Sequence, residues 1–174
     1  ENVMASIMVA KKLNVSNEVI CEVLKTFKGV EHRIEFVKEI DGVKWFNDSI
    51  GTSPTRTIAG LNSFKEKIVL IAGGYDKHLD YAPIAKPIVK NVSKLILMGA
   101  TADKIEKAVK DELLKEGKTL PIYRCSSLHE VVNKAKEVAR EGEVVLFSPA
   151  SASFDLFKNF EDRGNKFKEE VYKL

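Results

Sequence analysis

The sequence predicts an α/β fold: a Rossmann-like three-layer sandwich with a mostly parallel sheet, preceded by a helical hairpin. Three observations predict it. Short apolar runs such as "IVLIA" and "VVLF" lack polar alternation, as strands covered on both faces require. Stretches with helical periodicity separate those runs, so strand and helix alternate through most of the chain. Before the alternation begins, the first 28 positions carry two helical stripes and no strand.

Taken in order, Val3, Ile7, Met8 and 10–13 form the first stripe. Positions 14–17 break it, and Ser16 is an N-cap for the second stripe, Val19, Ile20, Val23, Leu24 and Phe27, which Gly29 closes. Ile34, Phe36 and Val37 open a strand, Asp41-Gly42 signals a hairpin turn, and 43–46 is the returning strand. Four more strands follow at Ile68–Ala72, 95–98, 122–123 and Val144–Phe147. Helices are expected at Pro54–Leu61, 81–90, Ala102–Glu116, 128–141 and 157–171. No internal repeat or low-complexity tract interrupts them. The chain begins at Glu1, inside a helical pattern, so a piece of a longer chain is expected.

Composition narrows the function classes. The 174 residues carry 30% charged and 44% hydrophobic side chains, ordinary for a globular protein. The net charge of +3 is spread along the chain and argues against a nucleic-acid binder, which would show a basic cluster. No apolar run approaches the roughly 18–20 residues that span a bilayer. Cys21 and Cys125 lie far apart, outside any metal-like spacing, and fit reduced thiols in a cytoplasmic protein. His32, His78 and His129 form no ligand spacing, and no metal site is expected.

In parallel sheets ligands sit beyond the C-terminal strand ends. That selects "NDSIGTSP" (47–54), "GGYDKHLD" (73–80), "GATADK" (99–104) and "SPASASFD" (148–155). In the last of these, small residues open toward a helix N-terminus, an arrangement suited to an anion. Gly73-Gly74 permits a positive-φ turn, after which Lys77 is either an anion binder or a solvated lysine. Lys77 is the one lysine or arginine in loops 47–54, 73–80 and 148–155. Asn47, Asp48, Ser49, Thr52 and Ser53 either build a turn and cap the helix at Pro54 or present groups to a ligand. In the latter case Asp48 accepts from ribose hydroxyls or joins a metal shell, and Thr52 donates to a carboxylate. His32 and Arg33 stand where the α/β unit begins, with Arg33 either a surface group or a phosphate contact. Glu161 and Arg163 are expected to be solvated charges, and Cys125 a small buried filler. No G-x-x-x-x-G-K-[ST] or G-x-G-x-x-G is present.

The motifs "HRIE", "NDSIGTS", "IAGGYDK", "GAT" and "SPASASFDLFKNFEDRGNKF", in this order, resemble the carboxy-terminal part of the Mur ligases. These are ATP-dependent amino-acid ligases of peptidoglycan synthesis in the bacterial cytoplasm. The last motif points to the branch that adds D-glutamate to UDP-N-acetylmuramoyl-L-alanine. The resemblance implies that 1–30 are the final helices of a central ATPase domain and 31–174 the third, Rossmann-like domain. It also implies ATP and Mg²⁺, with the metal ligands mainly in another domain, and an acyl-phosphate intermediate.

The resemblance further places Thr52 and Lys77 at one carboxylate of D-glutamate, and Ser153 with the backbone of Phe160 at the other. Asn2 corresponds to a residue near adenine, and His32, Arg33 and Asp48 to residues reaching ribose and phosphates. No residue of this chain is implied as a covalent catalyst. One departure stands out: many members carry lysine after "NDS", where this chain has Ile50. The whole ligase is expected to be monomeric and this chain alone inactive, with the 1–28 hairpin either self-associating or mobile. Two readings compete with it: a stand-alone anion- or nucleotide-binding module without chemistry, and a sister ligase for another amino acid.

Overall fold

The computed structural model describes residues 2–174. Glu1, where the first expected helix opens, lies outside the described residues. Two helices come first, α1 (Asn2–Lys12) and α2 (Asn17–Thr26). The side chain of Ser16 accepts from the amide of Val19 and caps α2. Neither helix buries a residue. Val3, Met8, Val19, Val23 and Phe27 are all exposed, while Ile7, Ala10, Ile20 and Leu24 line a small apolar groove between the two helices.

From residue 35 onward the elements are β1 (Glu35–Ile40), β2 (Val43–Asn47), α3 (Pro54–Leu61), β3 (Ile68–Ala72), α4 (Ala82–Asn91), β4 (Val92–Leu97), α5 (Ala102–Glu116), β5 (Ile122–Arg124), α6 (Leu128–Val138), β6 (Val144–Phe147) and α7 (Phe160–Tyr172). They build one six-stranded sheet in the order β1-β2-β6-β3-β4-β5. Only the β1–β2 hairpin is antiparallel. Its turn is Asp41-Gly42, with φ of 51° and 73°, the left-handed pair that matches strand twist.

Helices cover both faces. Leu61 of α3, Ile84 and Ile88 of α4, and Ile105 and Val109 of α5 pack on one side. Leu128, Val131 and Val132 of α6 pack on the other with Phe167 and Val171 of α7. Every residue of β3 and β6 is buried, as their unbroken apolar runs require.

Several boundaries differ from the sequence expectation. Ile34 has φ 46°, so β1 starts one residue later. Strand β4 begins at Val92 because Lys94, polar on paper, reaches Glu143 with its ammonium at 2.6 Å. Helix α6 ends at Val138, where Ala139 turns extended. Helix α7 begins three residues late: the carbonyl of Ser153 takes the amides of Leu156 and Phe157 in a turn, and Asn159 then caps the helix by accepting from Asp162 at 2.7 Å.

Candidate functional site

Two neighbouring strands send their following loops to opposite faces. After β3 the chain passes to α4, on the α3–α5 side, and after β6 it passes to α7, on the α6 side. A crevice therefore opens at the C-terminal ends of β3 and β6, the strand-order reversal where such sheets bind ligands. Its walls are tied together. Gly73 donates to the carbonyl of Pro149 at 2.8 Å, and Tyr75 pairs with Ala152 as an isolated bridge. Gly73 is required here. Its φ is 108°, and a Cβ would lie 2.0 Å from the carbonyl oxygen of Met98.

The hydroxyl-rich loop after β6 divides its serines between two tasks. Ser148 donates to Asp48 at 2.6 Å, and its hydroxyl oxygen lies 2.9 Å from Thr57 Oγ1, from which it accepts. Ser151 lies 2.8 Å from both Tyr81 Oη and Thr101 Oγ1. Thr101 also accepts from the amide of Gly74 at 3.1 Å. Ser148 and Ser151 are thus spent on holding loops together. Ser153 is buried, yet its hydroxyl makes no hydrogen bond among the described residues. Next to it, the exposed Phe154 ring stands edge-on to Tyr75 at 6.1 Å and carries the Lys77 ammonium 5.4 Å from its centroid. The other cation at this rim, Lys104, is paired with Asp76 at 2.6 Å. Lys77 has no carboxylate partner among the described residues. Thr52 is half-buried in the loop after β2, and its amide donates to Ile50 at 2.8 Å.

Arg163 overturns its expected role as a solvated charge. It is 2% exposed, and its guanidinium reaches three residues on two loops. Nε donates to Ser49 Oγ at 3.0 Å and Nη2 to the Ser49 carbonyl at 2.8 Å. Nη1 donates to the carbonyls of Ser151 and Ala152 at 3.0 and 2.9 Å. Burial lowers its pKa to about 10, against the pull of Asp155, so it stays charged at neutral pH. Ser49 passes the link on by donating to the carbonyl of Phe160 at 2.8 Å. One buried cation thereby holds the loop after β2 against the loop after β6.

Beside this clamp, His32, Arg33 and Asp48 occupy different settings. His32 is 4% exposed. Its Nδ1 lies 2.9 Å from Asn47 Nδ2, and its ring stands edge-on to Phe160 at 6.1 Å. Gly164 leaves the room, since a Cβ there would sit 2.3 Å from that nitrogen. Asp48 is buried and accepts from Ser148 and from the amide of Ile34 at 3.3 Å. Burial raises its pKa, opposed by Ser148, the Ile34 amide, Arg33 and Arg56. Arg33 is exposed at the mouth of a cleft of about 160 Å³ that Asp48 also lines. Asn2 is exposed on α1, its carbonyl accepting from Ser6. Glu31, His32 and Glu35 lie close enough to share a metal ion. The Lys168 ammonium sits 2.6 Å from Glu31 and 3.1 Å from Glu35, so the charge is already met and the set does not fit a metal.

The family model described as "Mur ligase, glutamate ligase domain" matches residues 32–151. The chain belongs to the Mur ligase family. Among its curated relatives, the UDP-N-acetylmuramoylalanine–D-glutamate ligase of Acetivibrio thermocellus is 58% identical over 90% of this chain and 34% of its own length. The enzyme of the same name from Clostridium novyi is 48% identical over all of this chain and 38% of its own. The chain thus spans about a third of the length of these relatives. Solved structures share the fold: UDP-N-acetylmuramate-alanine ligase from Thermotoga maritima matches with a TM-score of 0.69 at 20% identity, over 99% of this chain and 37% of that one. A bifunctional folylpolyglutamate synthase/dihydrofolate synthase from Yersinia pestis, solved with AMPPNP and manganese, matches with a TM-score of 0.62 at 15% identity, over 88% and 34%.

Within this Mur ligase chain Thr52, Lys77 and Ser153 lie in the loops that follow β2, β3 and β6, neighbouring strands that end on the same edge of the sheet, and Phe160 opens α7 after the last of them. Asn2 stands apart on a helix with no buried residue. Arg163, which sequence reasoning missed, did leave a signal. Arg163, Phe167 and Val171 fall four residues apart on one helical stripe and are all buried. A charge at a buried stripe position must be paired or hydrogen-bonded.

Proposed function

We propose that this chain is the amino-acid-accepting domain of an ATP-dependent ligase that joins D-glutamate to UDP-N-acetylmuramoyl-L-alanine in peptidoglycan synthesis. On this reading 1–30 are the last helices of a central ATP-binding domain and 31–174 the third domain of a monomeric cytoplasmic enzyme. The observation that carries it is the division of labour in the crevice. Ser148, Ser151 and Arg163 are consumed in fastening loops, while Ser153, Thr52 and Lys77 are left to meet a ligand. One ammonium and two hydroxyls on different loops suit a small dicarboxylate. The names of the relatives at 48–58% identity supply the substrate. No helix among the described residues is long and apolar enough to cross a membrane.

The chemistry asks little of this domain beyond placement. Transfer of the γ-phosphoryl group of ATP to the acceptor carboxylate gives an acyl phosphate and ADP. The amine of D-glutamate then attacks the acyl carbon, the C–N bond forms, the C–O bond to phosphate breaks, and the amine loses a proton. Lys77 with Thr52 holds one carboxylate of the amino acid. Ser153 holds the other, with the first-turn amide of Phe160 at the N-terminus of α7. Fixing both ends aims the amine and supplies proximity. Mg²⁺, bound mainly by other domains, would supply charge neutralisation at the phosphates. Arg33 and Asp48 face the nucleotide, and His32 holds the loop that carries them.

The test is ADP release by the longer ligase containing this chain, with ATP, Mg²⁺ and UDP-N-acetylmuramoyl-L-alanine. Release that requires D-glutamate, and that L-glutamate, L-alanine and L-lysine do not replace, is expected. Equal stimulation by another amino acid would overturn the reading.

A further inference from the structure

The cleft at Asp48 has a second cation. Its one wall is a stripe of α3 and the residues after it, Arg56, Ala59, Gly60 and Ser63; the other is Arg33 and Ile34, with Asp48 and Ile50 between. The spacing of the stripe, i, i+3, i+4 and i+7, puts these residues on one helical face. Three of the four are small, so the wall is low and only Arg56 rises from it. Gly60 is tight against the floor: a Cβ there would lie 3.3 Å from Asp48 Oδ2. Arg33 and Arg56 are both exposed, and among the described residues neither makes an ion pair or a side-chain hydrogen bond. Both act on the Asp48 carboxyl through space. Asp48 cannot neutralise two guanidiniums, and its oxygens already accept from Ser148 and Ile34. The cleft therefore retains positive charge facing solvent.

We propose that Arg56 is a second phosphate-binding guanidinium, closing with Arg33 on the phosphate chain of a nucleotide across the cleft beside Asp48. The inference rests on the ligase reading above and adds a residue to its nucleotide side. The volume sets the portion bound. About 160 Å³ is below the range of roughly 300–1,000 Å³ that encloses a drug-sized ligand, so the cleft takes phosphate groups and leaves base and sugar outside. Guanidinium forks suit that task because each presents paired donors to phosphate oxygens. Ile50 places no charge in the cleft, so Arg56 is the cation of the 47–63 segment that faces it.

The experiment titrates inorganic tripolyphosphate into the 174-residue chain at low ionic strength, by calorimetry and by backbone amide shifts. The expected result is saturable binding with shifts at Ile50, Gly51, Ala59 and Gly60. Arg56→Ala weakens binding about ten- to hundredfold, and Arg56→Lys recovers only part of the loss. Arg140→Ala, at the opposite end of the sheet, leaves affinity unchanged. Failure of the wild-type chain to bind, equal affinity in Arg56→Ala, or an equal loss in Arg140→Ala would overturn the proposal. A parallel titration with ADP separates the two readings. Binding of ADP that Arg56→Ala does not weaken sinks the role of Arg56 and leaves the ligase reading standing. Arg56-dependent tripolyphosphate binding that ADP fails to compete for keeps the clamp and sinks the nucleotide reading.

Discussion

Lys77, Arg163 and Asp48 are three charged side chains in or beside the loops that follow the strands, and each predicts a different measurement. Lys77 rests on Phe154 with no carboxylate partner among the described residues, so its charge is available to a ligand. In the proposed longer ligase, Lys77→Ala should raise the KM for D-glutamate about ten- to hundredfold, since a charge-assisted bond contributes about 1.5–3 kcal/mol. Ser153→Ala should cost less, about 0.5–1.5 kcal/mol for a neutral hydroxyl bond. Kinetics varying D-glutamate and ATP separately check both, and a change confined to ATP would refute the assignment.

Arg163→Met keeps the stem of the side chain but leaves the carbonyls of Ser49, Ser151 and Ala152 without their donor. It should destabilise the chain by about 3 kcal/mol or more in denaturant unfolding. Arg163→Lys should recover little, because one ammonium cannot reproduce four hydrogen bonds to three residues on two loops. Asp48 makes stability depend on pH. Its folded pKa is raised by burial, so the native state binds the proton more tightly than the unfolded chain. Stability from this group is present below the unfolded pKa of about 3.9 and is lost as pH rises through the folded value. Unfolding midpoints from pH 3.5 to 7 should show the wild type falling relative to Asp48→Asn across that window; parallel curves would refute it.

At the scale of elements, what the sequence discloses depends on how locally each feature is caused. β3 and β6 are legible because a strand covered on both faces has no polar alternation to confuse it. The β1–β2 turn is legible because Asp-Gly tolerates two left-handed residues. The start of β4 is hidden by Lys94, whose partner Glu143 lies 49 residues away. The start of α7 is hidden because 156 and 157 read as helical but are held in the turn at Ser153, leaving Asn159 to cap the helix. In the site, the crevice loops follow from strand ends alone, whereas the division between fastening and free serines depends on partners far along the chain. The hairpin α1–α2 makes its own prediction. With Val19, Val23 and Phe27 exposed and no buried residue in either helix, the isolated chain should self-associate. Val23→Asp should shift sedimentation toward the monomer; a monomeric wild type would remove the premise.

For the whole molecule, the absence of a G-x-x-x-x-G-K-[ST] loop from the sequence means that this chain lacks the phosphate cradle its proposed reaction needs. The 174 residues alone should therefore release no ADP on addition of D-glutamate, ATP and UDP-N-acetylmuramoyl-L-alanine. Measurable release would contradict the proposed division between domains.

β6, the last strand among the described residues, lies in the middle of the sheet, between β2 and β3. Until residues 144–147 arrive, the chain holds two half-sheets, β1–β2 and β3–β4–β5, each with an edge awaiting a partner. Joining them pairs Lys44 with Val144, one hundred positions apart. The entropy of closing so long a loop is met before the contacts reward it, which makes assembly slow and cooperative. On the ribosome, the apolar edges of β2 and β3 stay open until residues 144–147 emerge, an interval in which unpaired strands aggregate. The crevice comes into being in the same step, since the loops on its two sides are joined only when β6 is in place.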